Sequence, residues 1–164
     1  MNIIHILQGS NEGDRLNYLD TSVQKIEENI GKIVKYSSIY ESEPWGFETN
    51  LWFLNRVVVV ETSLAPEIVL SKLLLIETEL GRNRFSDGVY HSRTLDLDIL
   101  FVGKEIISTA NLIVPHPQLQ NRRFTLLPLV ETAREFVHPS LNKTMIELLA
   151  ECTDKSKVQI FQKS

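Results

Sequence analysis

The chain has one cysteine, Cys152, in 164 residues. That excludes an internal disulfide and any cysteine-cluster metal site, and it fits a reducing compartment. No apolar run approaches the roughly 18 residues that a membrane-crossing helix needs. The start, Met1-Asn2-Ile3-Ile4-His5, has no basic n-region and no small-residue cleavage site, so a secretory signal is not expected and the expected location is cytoplasmic. Neither G-x-x-x-x-G-K-[ST] nor G-x-G-x-x-G occurs, and none of the four histidines sits at zinc-ligand spacing. The net charge is only −4, which argues against a general nucleic-acid binder. Repeats, low-complexity tracts and linkers are also missing. The expectation is one globular domain over residues 1–164, with a core large enough to need no staples.

Ile3–Leu7 is a short apolar run closed by Gly9-Ser10-Asn11, which reads as a strand and a turn. Leu16, Leu19, Val23, Ile26 and Ile30 step along one helix face, and Gly31 ends it. Ile33–Tyr40 is rich in β-branched and aromatic residues and predicts one strand. The four valines Val57–Val60 predict a strand buried on both faces. Pro66 can open a second helix, whose face is Val69, Leu73, Ile76 and Leu80, closed by Gly81. Leu95–Phe101 is a further strand. The order β-α-β-β-α-β predicts an α+β, ferredoxin-like sandwich with two helices on one face of an antiparallel sheet. C-terminal additions are expected as short helices near Phe124–Glu131 and Met145–Glu151, and as an edge strand at Val158–Phe161.

Two connections are long for a compact domain. Ser42–Leu54 carries four aromatics in 13 residues, including both tryptophans, against 8% aromatic overall. Arg82–Ser92 has neither helical nor strand period. Loops of this kind often bind ligand or act as lids.

The charges are uneven. Arg82–Arg123 holds five of the eight arginines but one of the nine lysines, and its balance is +2 against −6 elsewhere. Arginine grips phosphate or carboxylate through a planar fork. Asp96-Leu97-Asp98 lies in the same stretch. In a strand these two carboxylates share a face, with Cα atoms ~7 Å apart, while Leu95, Leu97, Ile99 and Phe101 face the other way. Paired carboxylates repel unless a cation joins them, and Mg²⁺ with phosphate oxygens is one solution. Pairing with neighbouring arginines is the other, and composition does not choose between them. With an aromatic loop to stack a flat heterocycle and Asn55 to read its polar edge, the parts describe a nucleotide-dependent phosphoryl or pyrophosphoryl transferase without a P-loop.

Gly9-Ser10-Asn11, Glu43-Pro44-Trp45-Gly46, Phe53-Leu54-Asn55, Glu77 with Leu80-Gly81-Arg82-Asn83-Arg84, Arg93-Thr94-Leu95-Asp96-Leu97-Asp98-Ile99-Leu100 and Pro115-His116 with Arg122-Arg123-Phe124 and Pro128-Leu129 follow one another across residues 3–140. In this order and spacing they resemble the 6-hydroxymethyl-7,8-dihydropterin pyrophosphokinase family. The resemblance implies transfer of pyrophosphate from ATP to the pterin hydroxymethyl group, in folate biosynthesis. It implies two Mg²⁺ ions on Asp96 and Asp98, and Arg82 and Arg93 assisting the transfer. Leu70, Glu77, Arg84, Ile99, His116 and Arg122 would bind ATP. Ser42, Glu43, Trp45, Phe53, Asn55 and Phe124 would form the pterin pocket. The partners would be these two small molecules, with no nucleic acid or membrane, and the protein would act as a monomer. The chain departs from the family pattern at Gln8, Leu74, Tyr90, His91, Ser92, Asn111 and Ile113. A non-catalytic nucleotide-binding or RNA-binding module of the same fold is the alternative.

Overall fold

A computed structural model of the chain describes residues 1–44, 51–81 and 94–162. Its elements, in chain order, are β1 (Asn2–Ser10), α1 (Arg15–Asn29), β2 (Lys32–Tyr36), β3 (Tyr40–Ser42), β4 (Phe53–Thr62), α2 (Pro66–Glu79), β5 (Asp96–Val102), β6 (Ile107–Ser108), β7 (Ile113–Val114), α3 (Arg123–Ala133), α4 (Met145–Glu151) and β8 (Val158–Ile160). Residues 45–50 of the first long connection and the whole of the second lie outside the described residues, and with them Trp45, Arg82, Arg84, Tyr90, His91, Ser92 and Arg93.

The main sheet runs β5-β1-β4-β3-β8, with β2 also paired to β4. Every pairing is antiparallel. The expected ferredoxin-like frame is present, and Val57–Val60 lie at its buried centre. Pro66 opens α2 at its first position, where its missing N–H costs nothing. Gly31 ends α1 through close packing: a Cβ there would come 2.2 Å from the Glu61 carbonyl oxygen.

Three expectations change. First, Ile33–Tyr40 is not one strand. It divides into β2, which pairs with Val58–Glu61 of β4, and β3, which pairs with Phe53–Asn55. The break is made by serines that bond sideways. The Ser37 hydroxyl accepts the Val57 N–H, and Ser38 donates its N–H and its hydroxyl to Glu131 of α3.

Second, Phe101 does not share a face with Leu97 and Ile99. His5 pairs with Phe101 but the next residue, Ile6, pairs with Ile99, so Leu100 is an extra residue in β5. Such a bulge reverses side-chain parity beyond it. Leu97 and Ile99 join one core, and Leu100 and Phe101 the other.

Third, the sheet is covered on both faces. Leu19, Ile26, Val69, Leu73 and Ile76 of α1 and α2 pack on one side. Leu126, Leu129, Met145 and Leu148 of α3 and α4 pack on the other. The C-terminal helices therefore complete a three-layer sandwich, and β8 extends the sheet by pairing with β3.

The family departure at Gln8 is accommodated by a buried polar network. Its amide nitrogen donates to the Leu19 carbonyl (3.0 Å) and the Ser22 hydroxyl (2.6 Å), and its oxygen accepts from Arg56 Nε (2.8 Å). Arg56 in turn reaches Asp20 and lies 5.7 Å from the Tyr36 ring centre. Hydrogen bonds at both ends of the buried amide offset the cost of its desolvation.

Candidate active site

The sheet brings one row of residues together. Asp96 of β5 pairs with Gly9 of β1, Gly9 pairs with Asn55 of β4, and Asn55 pairs with Tyr40 of β3. Directly paired residues share a face, so this row lies on the α3 side of the sheet. Asp98 follows one step along, opposite Leu7, and Ser42 follows opposite Phe53.

Gly9 makes the row possible. A Cβ there would stand 3.3 Å from Asn55 Oδ1, 3.7 Å from Phe53 Cδ1 and 4.0 Å from Asp96 Cβ. Asn55 and Phe53 thus lean over the bare backbone of β1 toward the carboxylates. The sequence places Gly9 in the turn that closes the first strand, but β1 continues through it to Ser10. The signal was a glycine inside a strand, which marks close approach. Asn55 and Ser42 are both buried, and Asn55 Nδ2 donates to the Ser42 hydroxyl at 2.7 Å. This bond fixes the amide with its oxygen toward Gly9.

On the other side of the row a cleft of about 460 Å³ runs along the β5 edge. Leu70 and Glu77 reach it from α2, Asp96, Asp98 and Ile99 from β5, and His116 and Arg122 from the segment before α3. Every described residue that the resemblance assigned to ATP or metal lines this one cleft. Leu74 and Asn111, two of the departures, line it as well.

Among the described residues, the carboxylates of the cleft act on one another. The Asp98 carboxyl is held well above the usual carboxylate range, first by burial, then by the charges of Asp96 and Glu77, with Arg122 pulling the other way. Glu77 is buried, and its carboxylate accepts the Leu97 N–H at 2.7 Å, which ties α2 to the edge strand.

His116 is lowered to about 4 by burial and by the nearby Arg122 charge, so it is neutral near pH 7. Its Nδ1 accepts the Gln118 N–H at 3.1 Å. The ring proton therefore sits on Nε2, which makes that atom a hydrogen-bond donor. The Arg122 guanidinium lies 5.7 Å from the Phe124 ring centre, within cation–π range. Glu43 is placed differently from the rest: its carboxylate accepts the Lys157 N–H at 2.8 Å, against the C-terminal segment.

Fold and site together define an α+β sandwich with a carboxylate-bearing cleft on one side of a bare strand and a buried amide with an aromatic ring on the other. Residues 5–134 match the family described as 7,8-dihydro-6-hydroxymethylpterin-pyrophosphokinase, and the chain belongs to that family. It is 41% identical over 156 residues to the 2-amino-4-hydroxy-6-hydroxymethyldihydropteridine pyrophosphokinase of Aquifex aeolicus, covering 94% of this chain and 95% of that one. It is 44% identical over 135 residues to the protein of the same name in Bacillus subtilis, covering 82% and 80%. Its fold is similar to that of the Plasmodium falciparum HPPK-DHPS structure, with a TM-score of 0.76 at 18% identity over 92% of this chain. The chain spans 44% of that longer protein.

Proposed function

We infer that the chain transfers the β,γ-pyrophosphoryl group of ATP to 6-hydroxymethyl-7,8-dihydropterin, giving the pterin diphosphate and AMP, as a step of folate biosynthesis. The hydroxymethyl oxygen attacks the β-phosphorus, the bond from that phosphorus to the α-phosphate oxygen breaks, and the hydroxyl proton is released. One observation carries the reading: the cleft holding Asp96, Asp98, His116 and Arg122 adjoins the Asn55–Ser42–Phe53 group across the single residue Gly9.

The donor set fits Mg²⁺. Asp96 and Asp98 offer hard oxygens on one face, and burial with the Asp96 and Glu77 charges raises the Asp98 carboxyl, a shift that a bound cation would reverse. Among the described residues no group of three or more His, Cys, Asp or Glu forms a metal site, so water and phosphate oxygens would complete the shell. Two ions bound there would offset the charge of the phosphates.

The chain's own groups do the rest. Leu70 and Ile99 give the nucleotide an apolar wall, and Glu77 sets the edge of its pocket. His116 Nε2–H and Arg122 donate to phosphate oxygens, with Arg84 as a further phosphate contact. Arg82 and Arg93 stabilise the charge that develops during transfer. Phe53 and Phe124 hold the pterin ring, Asn55 reads its amide-like edge, and Ser42, Glu43 and Trp45 complete that pocket. The protein works as a monomer in the cytoplasm on these two small molecules. Among the described residues no helix is long and apolar enough to cross a membrane.

Product analysis tests this. With ATP, Mg²⁺ and the hydroxymethyl pterin, AMP and the pterin diphosphate should appear in equal amounts. ADP as product would replace pyrophosphoryl by phosphoryl transfer. ATP binding without AMP would favour the non-catalytic module, and tight binding of single-stranded RNA its RNA-binding form.

A further inference from the structure

The C-terminal segment touches both ends of the pterin-side group. Asp154 Oδ2 accepts the Arg123 N–H at 3.0 Å. Its other oxygen accepts from the Ser156 N–H (2.9 Å) and the Ser156 hydroxyl. Three residues on, Lys157 pairs with Glu43 through both main chains and through the Glu43 carboxylate. Arg123 is flanked by Arg122 and Phe124, and Glu43 follows Ser42. One short segment therefore spans the start of α3 and the end of β3, which lie far apart in sequence.

The start of α3 needs such support. Arg122 occupies the capping position and supplies no side-chain cap, and the first turn has no acidic residue. The first N–H groups of a helix have no partner within it and favour an anion. Pro128 inside α3 also lacks the N–H that would close onto the Phe124 carbonyl. The turn carrying Arg122 and Phe124 is thus weak by its own sequence. Burial raises the Asp154 carboxyl, but bonds from Ser156 and the Arg123 N–H outweigh it and hold the group below the usual range.

We propose that Asp154 is a positioning residue of this enzyme, clamping the Arg123 N–H so that Arg122 and Phe124 stay aimed at the two substrates. It touches neither substrate. The proposal rests on the pyrophosphokinase reading for its kinetic part and on geometry alone for its structural part.

Both parts are measured on Asp154→Ala and Asp154→Asn at 25 °C, with folding of each variant checked by circular dichroism. In Asp154→Ala, amide exchange at Arg123–Leu126 should rise about tenfold, and kcat/KM for the pterin should fall about tenfold, short of the roughly 100-fold that a 1 Å misplacement can cost. Asp154→Asn keeps one acceptor oxygen and should lose about threefold. A lower melting temperature with unchanged kcat and KM would reduce Asp154 to a structural cap and overturn the proposal. Unchanged exchange in the first turn of α3 would overturn it independently of activity. If Asp154→Ala does not fold, wild-type kcat/KM and exchange in Asp154→Asn decide against it. A wild-type protein that makes no AMP defeats the functional reading alone, because the exchange result still stands.

Discussion

The two sides of Gly9 are built on opposite principles. Toward β3 the groups satisfy one another: Asn55 donates to Ser42, and Glu43 and Asp154 take N–H groups of neighbouring segments. Toward β5 the groups conflict: Asp96, Asp98 and Glu77 crowd one cleft, and burial with like charge keeps the Asp98 carboxyl raised. A satisfied group can be rigid before its ligand arrives. A conflicted one gains stability from the ligand, because a cation removes the repulsion. Under the proposed function, the first side suits a neutral heterocycle and the second suits metal and polyphosphate.

The strongest way to break this comparison is to neutralise the conflicted side. Asp98→Asn and Asp96→Asn should each remove turnover by about 10³-fold or more, as expected when charge positioning is most of the catalysis. They should also stabilise the metal-free protein. The sign follows from the raised Asp98 carboxyl: ionisation costs the folded form more than the unfolded one, so a neutral amide at Asp98 removes that cost, and one at Asp96 removes the like charge that adds to it. Each kcal/mol of relief raises the melting temperature by about 2–4 °C in a chain of this size. A lower melting temperature would mean that the aspartates are structural ion-pair partners.

Arg93→Ala should come next, with kcat reduced about 10²–10³-fold, the range for removing one donor to a charge that develops in the transition state. Binding of an ATP analogue should change little, and Arg93→Lys should restore only part because the fork is lost. Single-turnover kinetics separates the two effects. Weaker nucleotide binding with kcat intact would make Arg93 a ground-state clamp and pass the catalytic role to Arg82.

On the satisfied side, Asn55→Ala should raise the pterin dissociation constant about 10–100-fold, since losing one partner of a buried hydrogen bond costs about 1–3 kcal/mol. ATP-analogue binding should hold. Fluorescence titration with each ligand checks this, and an equal loss for both would merge the two sides into one electrostatic unit.

How much of this was legible in the sequence depended on the range of the interaction. Asp96 and Asp98 were readable because a strand's period of two is local, and Val57–Val60 because a fully buried strand needs no alternation. The faces of α1 and α2 were likewise printed in the spacing of Leu19, Ile26, Val69 and Ile76. Which side of the sheet α3 and α4 would cover was not, since an apolar stripe does not name its partner. The break at Ser37–Ser38 depends on Val57 and Glu131, far away in sequence. The bulge at Leu100 has no local mark, and it alone moves Phe101 to the other core. The site followed the same rule. Residue types were legible, but the link from Glu77 to the Leu97 N–H and that from Glu43 to Lys157 exist only once the chain has folded.

Gly9→Ala should have the smallest effect and draw the sharpest line between the two sides. The added methyl would meet Asn55 Oδ1 at 3.3 Å, closer than an ordinary contact, and would stand 3.7 Å from Phe53 and 4.0 Å from Asp96 Cβ. The nearest atom must move a few tenths of an ångström, and its group is pinned through Nδ2 to Ser42. The strain therefore falls on the pterin side, while Asp96 keeps ordinary clearance. Replacing glycine also narrows the unfolded chain, which favours folding by about 0.4–1 kcal/mol where the backbone is compatible. That gain opposes the crowding, so the melting temperature should move by no more than a few degrees. The pterin KM should rise severalfold, with the KM for ATP unchanged. A rise in both would show that the row acts as one body. A rise in the ATP KM alone would mean that Gly9 opens space for the phosphates and that Asn55 is displaced at no cost to pterin binding.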